Sequence, residues 1–212
     1  MQIKSFCPRL RKQLGFTMIE LLIVIAILGI LAVAVLSAIN PIEQINRGRD
    51  TGSRSDAEQL ISAIDRFYAM TGYYPWNAAV ADDPGMTWTE ANTTEFLALE
   101  DPLTACPVLY RLSEVPTASA TDCNDEPGTQ ELKLGFVSKL DGDTDNALFV
   151  YHGPNAYDST YVCFAPKSNA FQQEAAERVS DPALLPTDFP TDAYGQPVDG
   201  HCGPQGNCIC LP

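Results

Sequence analysis

Three hydrophobic patterns divide the chain. From Leu21 to Ile39 no charged residue occurs and apolar side chains occupy every face of the predicted helix. A segment of that length, rising ~1.5 Å per residue, roughly matches a ~30 Å hydrocarbon core. Asn40-Pro41 ends or kinks this helix, because proline lacks an amide donor and crowds the preceding turn. Next comes the polar stretch Asn46 to Asp56, whose Gly48 and Gly52 each weaken a helix by about 1 kcal/mol and predict a hinge. Then Ala57, Leu60, Ile61, Ile64, Phe67 and Tyr68 recur at threes and fours, predicting an amphipathic helix whose apolar stripe needs a cover. Gly72 and Pro75 punctuate its end. An unbroken helix from Phe16 to Met70 would run roughly 80 Å at this rise per residue.

Beyond residue 75 the period changes. Residues 76–131 are rich in Pro, Thr, Asp and Ala and read as a long surface connection, with one short helical possibility at Thr93 to Glu100. Leu132, Leu134 and Phe136 alternate with polar or small residues, and Ala147 to Tyr151 and Thr160 to Phe164 are two further β-rich runs. Three antiparallel strands packed on the 57–70 stripe give an α+β fold. Residues 165–212, rich in Pro and Asp, read as a terminal loop.

The residues before the apolar run carry the chemistry. Lys4, Arg9, Arg11 and Lys12 precede it with no acid among them, which places the leader on the cytoplasmic side by the positive-inside rule. One acid, Glu20, stands at the start of the apolar segment, where a carboxylate costs about 2.5–3.5 kcal/mol at mid-bilayer depth. A plain anchor would omit it; the bland account is an acid that snorkels to the interface. A secretory signal has a shorter apolar core, although Ala32, Ala34, Ser37 and Ala38 offer small residues for a signal peptidase. A lipoprotein reading through Cys7 lacks the apolar segment that should precede the cysteine.

Gly15-Phe16-Thr17-Met18-Ile19-Glu20 followed by the long apolar run resembles the type III signal of type IV pilins and type II secretion pseudopilins. Gly72-Tyr73-Tyr74-Pro75 resembles the Gly-x-Tyr-Pro that ends the helix in those proteins. The resemblance implies cleavage after Gly15 by a membrane aspartyl prepilin peptidase and N-methylation of the new terminus at Phe16. It implies assembly of many copies into a filament by an inner-membrane platform protein and a cytoplasmic ATPase. Glu20 would meet the α-ammonium of Phe16 on a neighbouring subunit, a buried pair whose loss of one partner typically costs ~3–5 kcal/mol. The fold so implied is a pilin-like α/β roll: a long N-terminal helix, membrane-spanning in its first half, packed on a small antiparallel sheet with disulfide-tied loops. Its divisions are a leader at 1–15, a membrane and assembly helix at 16–40, an amphipathic continuation at 41–72 and an extracytoplasmic head at 73–212.

Charge and cysteine content narrow the partners. The net charge is −14 over 212 residues; without the four leader cations Lys plus Arg falls from 13 to 9 against 27 acids, a balance of −18. Such a surface repels phosphate backbones and disfavours nucleic acid. Six of the seven cysteines, at 106, 123, 163, 202, 208 and 210, follow the membrane helix. In an exported segment they favour disulfides. Six cysteines allow 15 pairings. Cys106 with Cys123 would close a local loop, leaving Cys163, Cys202, Cys208 and Cys210 to tie the tail to a strand and to itself. The cluster of His201, Cys202, Cys208 and Cys210 also fits a zinc site, but the usual Cys-x₂₋₄-Cys knuckle is missing.

Asp141, Asp143 and Asp145 alternate along a turn, an arrangement that suits calcium if the carboxylates converge. An EF-hand is excluded, because Asn146 and His152 stand where the loop glycine and bidentate glutamate belong. A metal-free acidic turn is the favoured account. No nucleophile motif flanks His152 or His201 and no phosphate loop occurs, so the chain reads as a non-enzyme with calcium as its one candidate cofactor. Trp76, Trp88, Tyr73, Tyr74, Tyr151, Tyr157 and Tyr161 could form an adhesive surface, though core and turn packing is the commoner use. The expectation is therefore a filament subunit that sits in membrane lipid before assembly, with its head outside the cytoplasm, and afterwards in an extracellular or periplasmic filament. The competing class is a membrane-anchored or secreted disulfide-rich domain that binds a ligand.

Overall fold

The computed structural model describes residues 15–117, 120–142, 146–194, 202 and 207–212. The chain divides into two compact units, Met1–Pro41 and Ile42–Pro212. The first contains helix α1, Met18–Ala38, capped by Thr17 and ending where Ile39 turns extended at ψ 134°. Asn40, directly before a proline, is disfavoured in helical geometry. Pro41 then opens helix α2, Pro41–Thr71, where its fixed φ and missing donor are tolerated. One residue thus stops one helix and starts the next, and the single 80 Å helix is not what forms.

The expected hinge at 46–56 is also absent: α2 runs through Gly48 and Gly52 without a break. Two glycines, at about 1 kcal/mol each, are outweighed by what this face of the helix holds. Asp50 and Ser53 are buried, Glu43 pairs with Arg47 one turn on at 3.3 Å, and Arg54 pairs with Glu174 at 2.5 Å. Past the apolar stripe, Gly72 takes φ +80° and donates its amide to the Tyr68 carbonyl at 2.8 Å, closing α2.

Four strands form one antiparallel sheet in chain order: β1 Met86–Glu90, β2 Leu148–His152, β3 Thr160–Phe164 and β4 Ile209–Leu211. The register Leu148↔Phe164, Val150↔Val162 and His152↔Thr160 puts these six side chains on one face, with Ile209 opposite Phe164. That face joins Ala57, Leu60, Ile61, Ile64 and Phe67 of α2 in one core, with Trp76 and Phe96 completing it. The other face carries Phe149, Tyr161, Cys163 and Cys210 and is covered by Phe189, Ala193, Cys202 and Cys208 of the C-terminal segment. β3 is buried at every position because it is covered on both sides.

Several expectations from the sequence are corrected. The alternation of Leu132, Leu134 and Phe136 does not make a strand; residues Leu134–Gly142 form helix α4, which buries Val137 and Leu140 while Leu134 stays exposed. The three-residue spacing of the buried pair is helical, and Lys139 ties the exposed side to Asp56 of α2. The missing strand is β1, inside the presumed surface connection, where Thr87, Trp88 and Thr89 supply the β-branched and aromatic side chains a pleated surface favours. The same stretch holds helix α3, Val108–Leu112, and a bridge between Leu97 and Pro107. At Thr93 to Glu100 a single turn forms rather than a helix: the Asn92 side chain accepts from the amides of Thr94 and Glu95, and Leu97 then leaves the turn to bridge Pro107. Residues 165–212 are more than a loop: they contain helix α5, Asn169–Arg178, and strand β4.

A polar node fixes α5 to α2. The Asp50 carboxylate, 1% exposed, accepts from the Lys167 amide at 2.9 Å, the Ser168 amide at 2.8 Å and the Ser168 hydroxyl at 2.5 Å. Ser168 Oγ in turn caps α5 through the Phe171 amide. Removing the carboxylate strands buried donors, at about 1–3 kcal/mol for each unsatisfied group. Asp50→Ala is therefore expected to lower the head's stability by roughly 2–4 kcal/mol on the same basis, read by urea unfolding with tryptophan fluorescence. Asp50→Asn, which keeps an acceptor, should lose less.

His152 lies in an aromatic cluster, 4.2 Å from the Tyr74 ring and 5.8 Å from Trp76, with Nδ1 3.1 Å from the Thr160 hydroxyl. Burial pushes its pKa below the ordinary value, against the smaller opposing pull of Asp158 and Asp188. The unfolded chain then binds a proton near pH 6.5 that the folded one refuses. Stability from this group is full above about pH 6.5 and falls as pH drops toward the folded pKa. His152→Gln should flatten the pH dependence of the unfolding free energy just below about pH 6.5.

Candidate functional site

The candidate site is the start of α1. Gly15 and Phe16 precede the helix, and Phe16 is 79% exposed. Thr17, at φ −78° and ψ 150°, is the N-cap: its hydroxyl accepts from the Glu20 amide at 3.2 Å and its carbonyl from the Leu21 amide at 3.2 Å. Thr17 to Glu20 is thus the Thr-x-x-Glu spacing of a capping box, a helix-start signal carried by the sequence itself. Glu20 lies in the first turn, near the positive pole of the helix, where a carboxylate is favoured by about 0.3–1 kcal/mol at an exposed site.

The rest of α1 has no polar face. Met18–Ser37 is long and apolar enough to cross a membrane, and none of it is covered by the protein. Exposed residues include Ile19, Leu22, Ile25, Leu28, Leu31 and Leu36, which together surround the helix. Ser37 satisfies its hydroxyl on the Ala34 carbonyl at 2.9 Å, so it offers no polar edge. A helix apolar all round must be buried, in lipid or among other helices. Each Leu, Ile or Val so covered contributes about 1.5–3 kcal/mol.

Elsewhere the six cysteines that follow α1 form three disulfides. Cys106 joins Cys123 across 17 residues, Cys163 of β3 joins Cys210 of β4, and Cys202 joins Cys208. All three sulfurs of the candidate zinc tail are thereby engaged, while His201 lies outside the described residues. Asp141, in the last turn of α4, accepts from the Thr93 amide at 2.7 Å and the Thr93 hydroxyl at 3.0 Å, pinning the turn after β1. Asp143 and Asp145 lie outside the described residues. Among the described residues no group of three or more His, Cys, Asp or Glu is placed to hold a metal. The aromatic residues divide: Trp76, Tyr74 and Tyr161 are buried, Trp88 stacks on Phe149 at 5.3 Å, and Tyr157 stands 86% exposed.

One comparison with known proteins falls on the same segment. Residues 10–36 match the family described as the prokaryotic N-terminal methylation motif. Over 144 residues, 68% of this chain and 73% of the relative, the sequence is 29% identical to the type IV major fimbrial protein FimA of Dichelobacter nodosus. No solved structure matches. The chain carries the N-terminal methylation motif on an apolar helix and has an α+β, pilin-like head with disulfides.

The cap can be tested separately from the acid. Thr17→Ala is expected to loosen the first turn of α1 by about 1 kcal/mol. Amide exchange in micelles should quicken at Glu20 and Leu21, while the melting of the head stays unchanged.

Proposed function

We propose that this protein is a structural subunit of a type IV pilus or pseudopilus-like filament, cleaved after Gly15 and assembled by packing of α1. The observation that carries this reading is an apolar helix uncovered on every side with one carboxylate in its first turn. The methylation motif at 10–36 and the similarity to a fimbrial protein support it.

The chemistry of the terminus follows from the helix. Cleavage after Gly15 creates an α-ammonium on Phe16, next to the N-terminal pole of α1. A cation at that pole is disfavoured, and a carboxylate nearby offsets it. In a filament, Glu20 of one copy supplies that carboxylate to Phe16 of the next, and the surrounding Leu and Ile side chains exclude water from the pair. Burying the apolar faces against one another then supplies the association energy, and the charge pair selects the register.

Before assembly α1 lies in membrane lipid, with the basic leader on the cytoplasmic side and the head outside. The protein serves as substrate for a prepilin peptidase, and an inner-membrane platform protein and an assembly ATPase supply the work. No catalytic role is assigned to the head. Calcium binding at Asp141, Asp143 and Asp145 is a secondary reading, and the contacts of Asp141 with Thr93 already give that residue a structural use.

Mass spectrometry of the mature N-terminus tests the proposal. The expected product begins at Phe16 with a methylated amine, and Gly15→Val should leave the leader attached. A chain beginning near Ser37, or an intact Met1 in assembled material, would favour the membrane-anchored or secreted ligand-binding domain instead.

A further inference from the structure

Arg111 is the cation that packing of the head explains least. It sits on α3 at 3% exposure, and burial pulls its pKa below the usual guanidinium value. One terminal nitrogen, Nη1, donates to the carbonyls of Pro75 and of Asn77, the latter at 2.7 Å. The Phe67 ring lies 5.2 Å from the guanidinium carbon, and the Tyr73 phenol approaches the same group. The nearest carboxylate, Glu126 Oε2, is 4.0 Å from Nη2 and belongs to a side chain 52% exposed, beyond hydrogen-bond distance. Nε has no hydrogen-bond partner. A full positive charge is thus held under the surface by carbonyl dipoles, the Tyr73 phenol and one loose, solvated counterion.

This guanidinium lines a cavity of about 160 Å³ with Phe67, Glu126, Pro127, Gly128 and Thr129. The walls are fixed. Thr129 donates its amide to the Arg111 carbonyl at 2.9 Å, Gln130 to Ser113 at 2.7 Å, and the Cys106–Cys123 disulfide anchors the chain just before Glu126. Gly128 adopts φ +78°, and a Cβ there would come within 2.7 Å of the carbonyls of Tyr110 in α3 and of Ser113 that caps it, so the loop approaches α3 as only glycine allows. The space is comparable to an apolar cavity of ~150 Å³ that accepts benzene.

We propose that this cavity binds a carboxylate carried on a small apolar group. The apolar part lies against Phe67 and Pro127, and the carboxylate takes from Glu126 the place beside the guanidinium. A planar, bidentate anion matches the geometry of an arginine fork better than a side chain held at 4.0 Å. The shared chemistry has two sources, a free small organic acid or an acidic side chain of another protein chain.

Full-length protein in micelles, labelled with ¹⁵N-arginine, is titrated with benzoate while the Arg111 Nε signal is followed. Saturable movement is expected with benzoate and at least tenfold weaker binding with neutral benzamide. Glu126→Gln, a change at an exposed rim position, should tighten benzoate severalfold by removing the competing anion, and Arg111→Met should abolish binding. Absence of saturation in both the wild type and Glu126→Gln would overturn the proposal, as would equal binding of benzamide. A capped Gly-Glu-Gly peptide separates the sources: displacement of benzoate at comparable concentration identifies protein carboxylates, and none at tenfold excess identifies a free acid.

Discussion

The constraint on which the protein depends is the uncovered apolar surface of α1. Every residue from Leu21 to Val35 is exposed. At about 25 cal/mol per Å² of apolar area, a helix of this length cannot remain in water. In the proposed account lipid satisfies it first, and copies of the same helix in the filament satisfy it next. Hydrophobic burial alone is indifferent to register, since one Leu packs nearly as well as another. In that proposal Glu20 ends the indifference, because a carboxylate in an apolar environment requires a cation at one defined place.

The head shows the opposite strategy, with both faces of its sheet covered from within the chain. The stripe on α2 covers one face of the sheet and the disulfide-tied C-terminal segment covers the other. That arrangement leaves β3 enclosed and bonds β4 to it through Cys163 and Cys210. Asp50 performs on α2 what Glu20 is proposed to do on α1. Each is an acid whose charge specifies a contact that packing leaves open, and for Asp50 the partner, the cap of α5, lies in the same chain. Arg111 is also buried, and its partial compensation sets it apart from Asp50.

Legibility in the sequence followed the strength of the local signal. The apolar run, the 57–68 stripe, the Gly72 stop and strands β2 and β3 were readable because one period persists through each. α4 was misread because Leu132, Leu134 and Phe136 alternate by accident, while its informative pair, Val137 and Leu140, spans only one turn. β1 was hidden by a polar composition, since its Thr-Trp-Thr core reads as loop until a neighbouring strand supplies hydrogen bonds. The expected hinge failed because the stabilising contacts of Glu43, Asp50 and Arg54 come from α5, more than a hundred residues away. No local rule sees such contacts. At the candidate site, Glu20 stood out as an acid among apolar residues, whereas the cap Thr17 was legible only as spacing.

The account rests most on Glu20, and the direct measurement is filament yield from Glu20→Val alongside membrane insertion and leader cleavage of the same variant. Removing the carboxylate should leave insertion intact or improved and leave cleavage in place, because both precede pairing between copies. Filament yield should fall sharply. Filaments formed by the Glu20→Val protein at wild-type yield would contradict the role of the charge pair and reduce α1 to a hydrophobic anchor.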